Sequence, residues 1–402
     1  MTFWEKAADR FLRRLMTDRA LEVTWMDGRT TLYGSGEPVR VAFHDVDLPR
    51  RLVMNPHLAI PEAYMDGTFT IEGDDLRLFF AAIIPGTARA DEIPTLRRVQ
   101  EIARARKRLE QINTPLRARR NVKVHYDLPP ELYDLFLGED RQYSCAYFER
   151  PDMSLEEAQE AKKRLIAKKL LIEPGMRVLD IGCGWGGMAL TLARDFGAEV
   201  VGVTLSDEQH AAARKRVASA GLEGRIDIRL QDYRDVGGPF DRIVSVGMFE
   251  HVGVPNYRTY FGKIKELLTE DGVALIHTIG RTGPPGITSP FISKYVFPGG
   301  YVPALTEVMQ PVERLHLELC DLEVWRLHYA ETLRHWYERF MEREAEAERL
   351  MDARFVRMWR FYLAGSEMTF RHHRQVVFQL QLAKRKTAVP ITRDYLYGSP
   401  AP

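Results

Sequence analysis

Eight residues, Asp180 to Gly187 with the sequence DIGCGWGG, lie between an apolar run and an amphipathic helix pattern. Glycines at such a turn let the backbone bend sharply and approach a ligand closely, because no Cβ stands in the way. Gly182, Gly184 and Gly187 also satisfy the spacing G-x-G-x-x-G, a weak signal on its own that dinucleotide-binding enzymes share. The stretch therefore predicts a cofactor-binding turn and raises NAD as one candidate ligand.

Acidic residues near this turn favour a different cofactor. A dinucleotide fold places an acid about 20 residues after the glycines, at the end of the second strand, but VVGVTLS ends in Thr204, Leu205 and Ser206. The acid instead precedes the glycines as Asp180, and Asp232 follows the third predicted strand, where it could accept a hydrogen bond from an adenine amino group. This arrangement resembles the class I S-adenosylmethionine-dependent methyltransferases, whose glycine loop receives the methionine part of the cofactor.

Alternating strand and helix patterns carry these residues. Ser154 and Glu157 form an S-x-x-E capping box that opens a helix, and strands and helices alternate after Pro174. The predicted strands are RVLDIGCG, EVVGVTL, IDIRLQD, FDRIVSVG, GVALIHTI, LEVWRLHY and QVVFQLQLA. The alternation indicates β-α-β units. We predict an α/β fold of the class I methyltransferase type, with a mainly parallel seven-stranded sheet and helices on both faces.

Residues 1–93 have the pattern of a small, separate domain. They open with an amphipathic helix whose apolar face includes Phe3, Ala8 and Leu12, and short strand-like pieces with Gly and Pro turns follow. We predict a small α+β domain that contacts lipid. The helix either docks on its own domain or lies on a membrane surface.

Residues 94–123 form a basic linker ahead of the predicted catalytic domain, 124–402. Ten Lys or Arg lie between Arg97 and Lys123, against two Glu. A solvated connecting helix explains such a run, and so does an anionic partner such as a phospholipid surface or nucleic acid. No aromatic residue interleaves with the basic ones in this run, which disfavours single-stranded nucleic acid.

Composition narrows the class of protein further. The 402 residues have a net charge of +1, with 45% hydrophobic and 28% charged residues, which is typical of a soluble globular protein of about two domains. Cys145, Cys183 and Cys320 form no C-x-x-C pair, so we predict neither a disulfide framework nor a metal site, and a reducing cytosol fits. The apolar run LFFAAII is too short to span a bilayer, so we expect no signal peptide or membrane span.

Seven motifs occur in one order along the chain and make the resemblance specific. They are YSCAYF, VLDIGCGWGG, GVTLS with Gln209 after it, VSVGMFEHVG, IHTIG, KYVFPGGYVP and HYAETLRHW. Together they cover about 123 to 385, and the chain is identified by them as a member of the cyclopropane-fatty-acid synthases and the related mycolic acid cyclopropane synthases. AIPEAYMDGTF, near the N terminus, resembles the branch that acts on bacterial phospholipids.

The resemblance implies a reaction, two bound groups and a set of site residues. The reaction is transfer of a methylene group from S-adenosylmethionine across a cis double bond of a phospholipid-bound acyl chain, through a carbocation that loses a proton to bound bicarbonate. The implied bicarbonate site consists of Cys145, Glu250, His277, Ile279 and Tyr329. The implied cofactor site consists of Tyr143, Ser144, Asp180, Gly182, Gly184, Gly186, Thr204, Leu205, Gln209, Asp232 and Tyr233.

These bicarbonate-site residues suit an anion. Main-chain groups at Cys145 and Ile279 can hydrogen-bond it, His277 and Tyr329 add side-chain donors, and Glu250 can accept its hydroxyl or its proton. Cys145 itself is not expected to be a nucleophile, because the reaction needs no covalent acyl intermediate and QYSCAYF places no base beside the thiol. Aromatic candidates for a dry acyl pocket are Tyr147, Phe148, Phe249, Tyr295, Phe297 and Trp336.

Two alternative functions stay open. A related fatty-acyl methyltransferase would stop at a methyl- or methylene-branched chain; Gly247 adds no second acid beside Glu250, which favours ring closure. A nucleic-acid methyltransferase would carry an Asn- or Asp-Pro-Pro-aromatic run after the fourth strand, where GMFEHVG stands instead. We therefore expect a cytoplasmic enzyme peripheral to the inner face of the membrane. Its expected partner is a phospholipid bilayer with unsaturated chains and not nucleic acid, and a homodimer is left open.

Overall fold

A computed structural model describes residues 1–16, 19–90 and 128–397. The basic linker predicted over 94–123 lies outside these residues. Contacts divide the described chain into two compact units. Unit 1 holds residues 1–90, Ile287–Pro298 and Leu333–Arg374, and unit 2 holds residues 128–286, Gly299–Thr332 and 375–397.

Unit 1 therefore takes in two segments that the sequence assigned to the catalytic domain. Its aromatic core explains the grouping: the Phe361 ring lies 4.8 Å from that of Phe80 and 5.7 Å from that of Tyr64. Arg77 also donates to the buried Glu367 at 2.8 Å, from an apolar helix near the N terminus to a helix almost 300 positions later. The domain boundaries at 93 and 123 stay predictions.

Unit 1 contains a four-stranded sheet. Its helices lie mostly in residues 1–90 and in Leu333–Arg374. The strands are β1 (Ala20–Thr24), β2 (Thr30–Tyr33), β3 (Pro38–Phe43) and β4 (Phe69–Ile71), in the order β2-β1-β3-β4. The first helices are α1 (Phe3–Leu15), α2 (Leu48–Met54), α3 (Pro56–Met65) and α4 (Leu76–Ala90). In α1 a Thr2/Glu5 capping box fixes the start, Ala8 and Leu12 are buried, and Phe3 is 73% exposed.

Unit 2 contains the predicted seven-stranded sheet, which confirms this part of the fold prediction. Its strands are β5 (Arg177–Ile181), β6 (Glu199–Thr204), β7 (Ile226–Leu230), β8 (Phe240–Val246), β9 (Leu268–Arg281), β10 (Glu318–Trp325) and β11 (Gln375–Ala383). Their order is β10-β11-β9-β8-β5-β6-β7. Only β11 runs against its neighbours β9 and β10 among the described strands, so the sheet is mainly parallel.

Helices cover both faces of this sheet. The helices α5 (Pro130–Asp134) and α6 (Leu155–Lys169) precede its first strand, and α7 (Gly187–Phe196), α8 (Asp207–Ser219), α9 (Tyr257–Leu267) and α10 (Leu305–Arg314) follow between its strands. Later in the chain, the unit boundary falls within α11 (His328–Glu342); α12 (Glu344–Leu350) and α13 (Ala353–His372) belong to unit 1, and α14 (Asp394–Tyr397) belongs to unit 2. The predicted Ser154/Glu157 capping box opens α6.

The two-residue period of the strands separates two cores. Leu179 and Ile181 of β5 pack into a cluster with α9 and α10, while Val178 packs into a second cluster with α6, α7 and α8. Successive strand side chains point to opposite faces, so one apolar run supplies both cores. No helix among the described residues is long and apolar enough to cross a membrane.

The carboxyl edge of the sheet collects the predicted site residues. The glycine loop follows β5, Thr204 ends β6, Asp232 follows β7 and Glu250 lies in a short turn after β8. His277 lies inside β9, four residues before the strand ends, but it pairs with the last residue of β8. Parallel strands bring their carboxyl ends to one edge, where ligands of open α/β sheets bind.

Candidate active site

The glycine loop is shaped for close approach by a ligand. Gly182, Gly184 and Gly186 all have positive φ, a conformation that side chains with a Cβ rarely adopt. An ideal Cβ built on Gly184 meets no atom of the described chain within 4 Å. Gly187 differs, because a Cβ there would lie 2.6 Å from the Asp140 carboxylate. The open side of the loop is therefore at Gly184, where a cofactor can lie against bare backbone.

Asp180 lies buried at the base of this loop. One of its oxygens, Oδ2, has no hydrogen-bond partner within the described chain. Burial raises the pKa of Asp180 to about 7, and the nearby Lys162 ammonium opposes this rise. A buried carboxylate oxygen without a partner is costly unless a ligand completes it, which suits a site for a cationic cofactor.

Lys162 connects this region to the segment that contains Ser144. The Lys162 side chain is fully buried, and its Nζ donates to Ser144 Oγ at 2.8 Å and to Gln142 Oε1 at 2.7 Å. Burial lowers the pKa of Lys162. Tyr143 packs edge-on against Tyr133, with ring centroids 5.8 Å apart. The predicted pair Tyr143 and Ser144 is thus held beside α6.

The turns after β6 and β7 hold the remaining predicted cofactor residues. Thr204 Oγ1 donates to Gln209 Oε1 at 3.0 Å, and the Gln231 N–H donates to the Thr204 carbonyl at 3.1 Å. These bonds bring the two turns together, as the prediction for ribose and adenine contacts requires. Leu205 is partly buried beside Thr204.

Asp232 is already paired within its own turn. Burial by itself would raise the pKa of Asp232, but hydrogen bonds from Arg234, one of them at 2.6 Å, hold that pKa below its usual range. The adjacent Tyr233 ring packs edge-on against Tyr260 at 5.5 Å. An ionised carboxylate with a fixed position can still accept from an amino group, which is the role predicted for Asp232.

Glu250 and Ile279 meet at the other end of the site. Glu250 Oε1 accepts the Ile279 N–H at 2.6 Å, and Oε2 is buried without a partner among the described residues. Burial raises the pKa of Glu250 to about 7, and the Ile279 N–H only partly offsets it. A carboxyl group whose pKa is near 7 can take up and release a proton at neutral pH.

His277 is buried next to this carboxylate turn. Its carbonyl accepts the Gly247 N–H at 2.9 Å, and its ring lies edge-on to Trp325 with centroids 5.1 Å apart. Burial, with smaller contributions from two lysine charges, lowers the pKa of His277 well below its ordinary value. The imidazole is therefore neutral at pH 7, and Nδ1 lies 3.0 Å from the Gln379 amide nitrogen.

Cys145 and Tyr329 are both buried. The Cys145 thiol donates to the Ala146 carbonyl at 3.3 Å, and burial raises its pKa far above neutrality. A thiol that stays protonated is a poor nucleophile, which agrees with the sequence-based interpretation. The Ala146 N–H donates to Thr332 Oγ1 of α11, the helix whose first turn contains Tyr329.

The predicted pocket aromatics do not form one set. Phe249 stacks on Tyr257 with centroids 4.3 Å apart, inside the core of unit 2. Tyr147 stacks on His328 and lies 4.8 Å from Trp325, which places it in the ring cluster that includes His277. Tyr295, Phe297 and Trp336 belong to unit 1.

Several polar residues of the site were missed by the sequence analysis. Lys162 and Lys169 lie on the buried stripe of α6, together with Leu155, Ala158 and Leu165. Gln379 lies in β11, whose residues after the first are all buried. The sequence did contain a signal for them: a lysine at a core position of a helix repeat and a glutamine inside an apolar strand. Such residues are expected to be buried, and buried polar groups need hydrogen-bond partners.

A family model matches most of unit 2. Residues 113–380 match the model of mycolic acid cyclopropane synthetase. The chain belongs to this family. Residues 8–84 match a separate model for a domain of unknown function. The family resemblance predicted from the seven motifs is thereby confirmed.

Individual relatives agree with the family match. The chain is 40% identical to the cyclopropane-fatty-acyl-phospholipid synthase of Escherichia coli K12, over 83% of this chain and 85% of that one. It is 35% identical to the tuberculostearic acid methyltransferase UfaA1 of Mycobacterium tuberculosis H37Rv, over 94% of this chain and 91% of that one. A solved structure of the mycolic acid cyclopropane synthase CmaA1 with SAH and CTAB matches 66% of this chain and 97% of that chain, with 34% identity and a TM-score of 0.63.

Proposed function

We propose that this protein uses S-adenosylmethionine to convert a cis double bond of a phospholipid-bound acyl chain into a cyclopropane ring. The meeting of two loops at neighbouring strands β5 and β8 supports this most strongly. An ideal Cβ on Gly182 would lie 3.0 Å from Met248 Cβ, two residues before Glu250. One loop is open to a ligand, and the other presents a buried carboxylate oxygen without a partner in the described chain. A methyl donor and a proton acceptor can therefore be held side by side.

S-adenosylmethionine supplies an electrophilic methyl group on a sulfonium. The alkene attacks that methyl carbon, the carbon–sulfur bond breaks and sulfur keeps its electron pair, which leaves a cation on the acyl chain. Loss of a proton from the added methyl group lets the freed electron pair close the ring. Water would capture the cation, and the burial of Glu250, His277 and Cys145 keeps that end of the site dry.

Bicarbonate, when bound beside Glu250, would supply a small base for this proton. The residues present fit such an anion: Glu250 Oε2 lacks a partner among the described atoms and can accept a hydroxyl, while His277 has a second ring nitrogen that can donate. Because the Ile279 N–H already donates to Glu250, we assign Ile279 the role of orienting that carboxylate. Asp180, the open glycines and the turns at Thr204 and Asp232 would hold S-adenosylmethionine.

Mass spectrometry of lipids from cells that express the protein tests the proposed reaction. We expect unsaturated phospholipid acyl chains to gain one CH₂, and ring products to be distinguishable from branched chains after hydrogenolysis. The expression of Glu250→Gln protein at the same level is the matched control. Methylated nucleic acid with unchanged lipids would contradict the proposal, and tight NAD binding without S-adenosylmethionine binding in a calorimetric titration would contradict the cofactor assignment.

A methyl-branching reaction is the second candidate. UfaA1, a tuberculostearic acid methyltransferase by name, matches 94% of this chain, more than the share matched by the E. coli synthase. Both reactions share the same first step and differ in how the cation is resolved. Branched products in the lipid assay would select this alternative and leave the S-adenosylmethionine site unchanged.

Membrane association is part of the proposal. The expected enzyme is cytoplasmic and acts at the inner membrane face, where the basic segment 94–123 would contact anionic phospholipid. Replacement of Arg117, Arg119 and Arg120 by Gln should weaken turnover on anionic vesicles and flatten its decrease with salt, since salt screens exposed charges beyond a Debye length of about 10 Å at 0.1 M.

A matched control removes three arginines of unit 2 whose side chains are 40% to 59% exposed, Arg194, Arg229 and Arg385. Equal losses in both triple variants would contradict a specific role for the basic segment. Substitution is a more specific test than deletion of residues 1–90. Those residues share a compact unit with Leu333–Arg374, so their deletion would also disturb that segment. A homodimer stays a prediction that light scattering of the purified protein tests.

A further inference from the structure

A row of polar side chains crosses three neighbouring strands beside the proposed proton-accepting site. Glu323 of β10 is in register with Gln379 of β11, and Gln379 is in register with His277 of β9. Residues directly opposite each other in antiparallel strands point to the same face, so these three side chains are neighbours. Lys169, the last residue of α6 and only 1% exposed, reaches this row.

Hydrogen bonds join the row into one chain of contacts. Lys169 Nζ contacts Glu323 Oε2 and donates to Gln379 Oε1 at 2.6 Å. The amide nitrogen of Gln379 lies 3.0 Å from His277 Nδ1. Burial lowers the pKa of Lys169, and the Glu323 carboxylate opposes that effect. The contact between Lys169 Nζ and Glu323 Oε2 has the geometry of an ion pair, in which Lys169 is an ammonium.

The order of donors along this chain has one consistent solution. An ammonium group donates and never accepts, so the Gln379 oxygen must face Lys169. The Gln379 NH₂ group then faces His277 and donates to Nδ1. In a neutral imidazole one ring nitrogen carries the hydrogen and the other accepts, so the hydrogen of His277 lies on Nε2. Rotation of the Gln379 amide by 180° would set its NH₂ group against the Lys169 ammonium, two donors at one contact, so this orientation is excluded at the Lys169 end.

We propose that Gln379 and Lys169 are positioning residues that hold His277 as the neutral Nε2–H tautomer. This rests on the proposed function, in which His277 helps to hold the anion that takes the proton. With Nδ1 occupied by an amide N–H and Nε2 already protonated, the ring has no free lone pair. His277 therefore acts as a hydrogen-bond donor in the reaction and not as the base, and the proton leaves through Glu250 and its anion.

The ¹⁵N chemical shifts of the histidine side chains test the tautomer directly. The protein has 11 histidines, so the His277→Asn spectrum identifies the His277 signals by difference. We expect the wild type at pH 7 to show a protonated Nε2 and an unprotonated Nδ1. An imidazolium or a protonated Nδ1 would overturn the proposal, and this reading needs no active enzyme and no folded positioning variant.

Gln379→Glu tests the positioning role. Its carboxylate keeps the acceptor for Lys169 but can no longer donate, so His277 should move its hydrogen from Nε2 to Nδ1. We expect turnover to fall at least about tenfold at saturating S-adenosylmethionine, because a wrong tautomer offers an acceptor where the site needs a donor. The dissociation constant for S-adenosylmethionine should change less than about threefold, since the contact lies at the other end of the site.

Gln381→Glu is the matched control. Gln381 lies two residues further along the same strand and is equally buried, but its amide donates to the Lys169 carbonyl and not to a histidine. We expect this variant to keep the His277 tautomer and most of its turnover. Equal turnover losses in both variants, or a tautomer change in Gln379→Glu without a loss of turnover, would overturn the positioning role.

Failure of the proposed function gives a different result. If the wild type forms no cyclopropane chains but shows the expected ¹⁵N pattern, the reaction is wrong and the tautomer assignment stands. If cyclopropane forms and the ring is protonated at Nδ1, the reaction stands and the assignment is wrong.

Discussion

Asp180 and Glu250 are two buried carboxylates at the ends of neighbouring strands, and they differ in what surrounds them. Each has one oxygen without a partner within the described chain, and burial raises the pKa of each to about 7. A lysine charge acts on Asp180, whereas a backbone N–H from Ile279 orients Glu250. Their pKa values are therefore alike, and the difference lies in their neighbours: Asp180 lies at the base of the open glycine loop, and Glu250 is fixed by the β9 backbone.

This difference indicates that the two carboxylates have different roles at the same edge of the sheet. A cationic cofactor bound at the glycine loop would favour the ionised form of Asp180 and pair with it. A carboxyl group whose charge is offset only by neutral donors is poised for proton transfer near neutral pH. We therefore expect the same type of side chain to serve cofactor binding at β5 and proton transfer at β8.

The largest expected effect separates the two carboxylates by turnover. Glu250→Gln keeps the acceptor for Ile279 but removes the proton-accepting charge, so we expect the rate at saturating S-adenosylmethionine to fall by about 10² to 10⁴. Asp180→Asn should raise the dissociation constant for S-adenosylmethionine and lower the saturated rate far less. Calorimetric titration measures the dissociation constant, and lipid turnover measures the saturated rate. Similar saturated rates for the two variants would contradict different roles for the two carboxylates.

The stability of Glu250→Gln should show the cost of the buried charge. Because the folded-state pKa is raised from 4.5 to about 7, the wild type loses stability as pH rises through this range. The loss is about 3 kcal/mol, complete above pH 8 and absent below pH 4. Glu250→Gln should therefore unfold at higher urea than the wild type at pH 8. A difference that does not change between pH 5 and pH 8 would show that Glu250 titrates normally.

The cofactor end should respond to a side chain on the glycine loop. Gly184→Asn adds atoms where the loop is open, and asparagine tolerates the φ of 53° better than a branched residue would. We expect the dissociation constant for S-adenosylmethionine to rise by about tenfold, equivalent to about 1.4 kcal/mol. Gly221→Asn, at a similar φ and with equal space, is the control and should bind normally.

Cys145→Ser should have the smallest effect. The serine hydroxyl can replace the thiol as donor to the Ala146 carbonyl, and a buried thiol with a raised pKa has no nucleophilic role to lose. We expect turnover within about threefold of the wild type, which mass spectrometry of the lipid product measures. An inactive Cys145→Ser that binds S-adenosylmethionine normally would make the thiol a participant in the reaction.

The elements of the sheet could be predicted from the sequence because their signals are local. The glycine spacing placed the loop after β5, and the apolar run QVVFQLQLA matches β11 residue for residue. The prediction of β10 was wrong by several residues, because LEVWRLHY starts four positions late and runs into α11. The residues at its end favour a strand by composition and do not show where the helix begins.

The partners of the site residues could not be predicted, because they depend on distant segments. Lys162 reaches Ser144 from α6, and Gln379 reaches His277 across 102 positions of chain. The local pattern could mark Lys162 and Gln379 as buried, but it could not identify the distant residues that they contact. The grouping of Leu333–Arg374 with the N-terminal residues has the same origin, in aromatic contacts between helices far apart in sequence.

Turnover in buffer freed of carbon dioxide and bicarbonate tests the proton-accepting site most directly. The wild-type rate on phospholipid vesicles should fall at least about tenfold on depletion and return when bicarbonate is added, while S-adenosylmethionine binds with unchanged affinity. Chloride at equal concentration should not restore the rate. A wild-type rate that is the same with and without bicarbonate would contradict the assignment of Glu250, Ile279 and His277 to an anion that removes the proton.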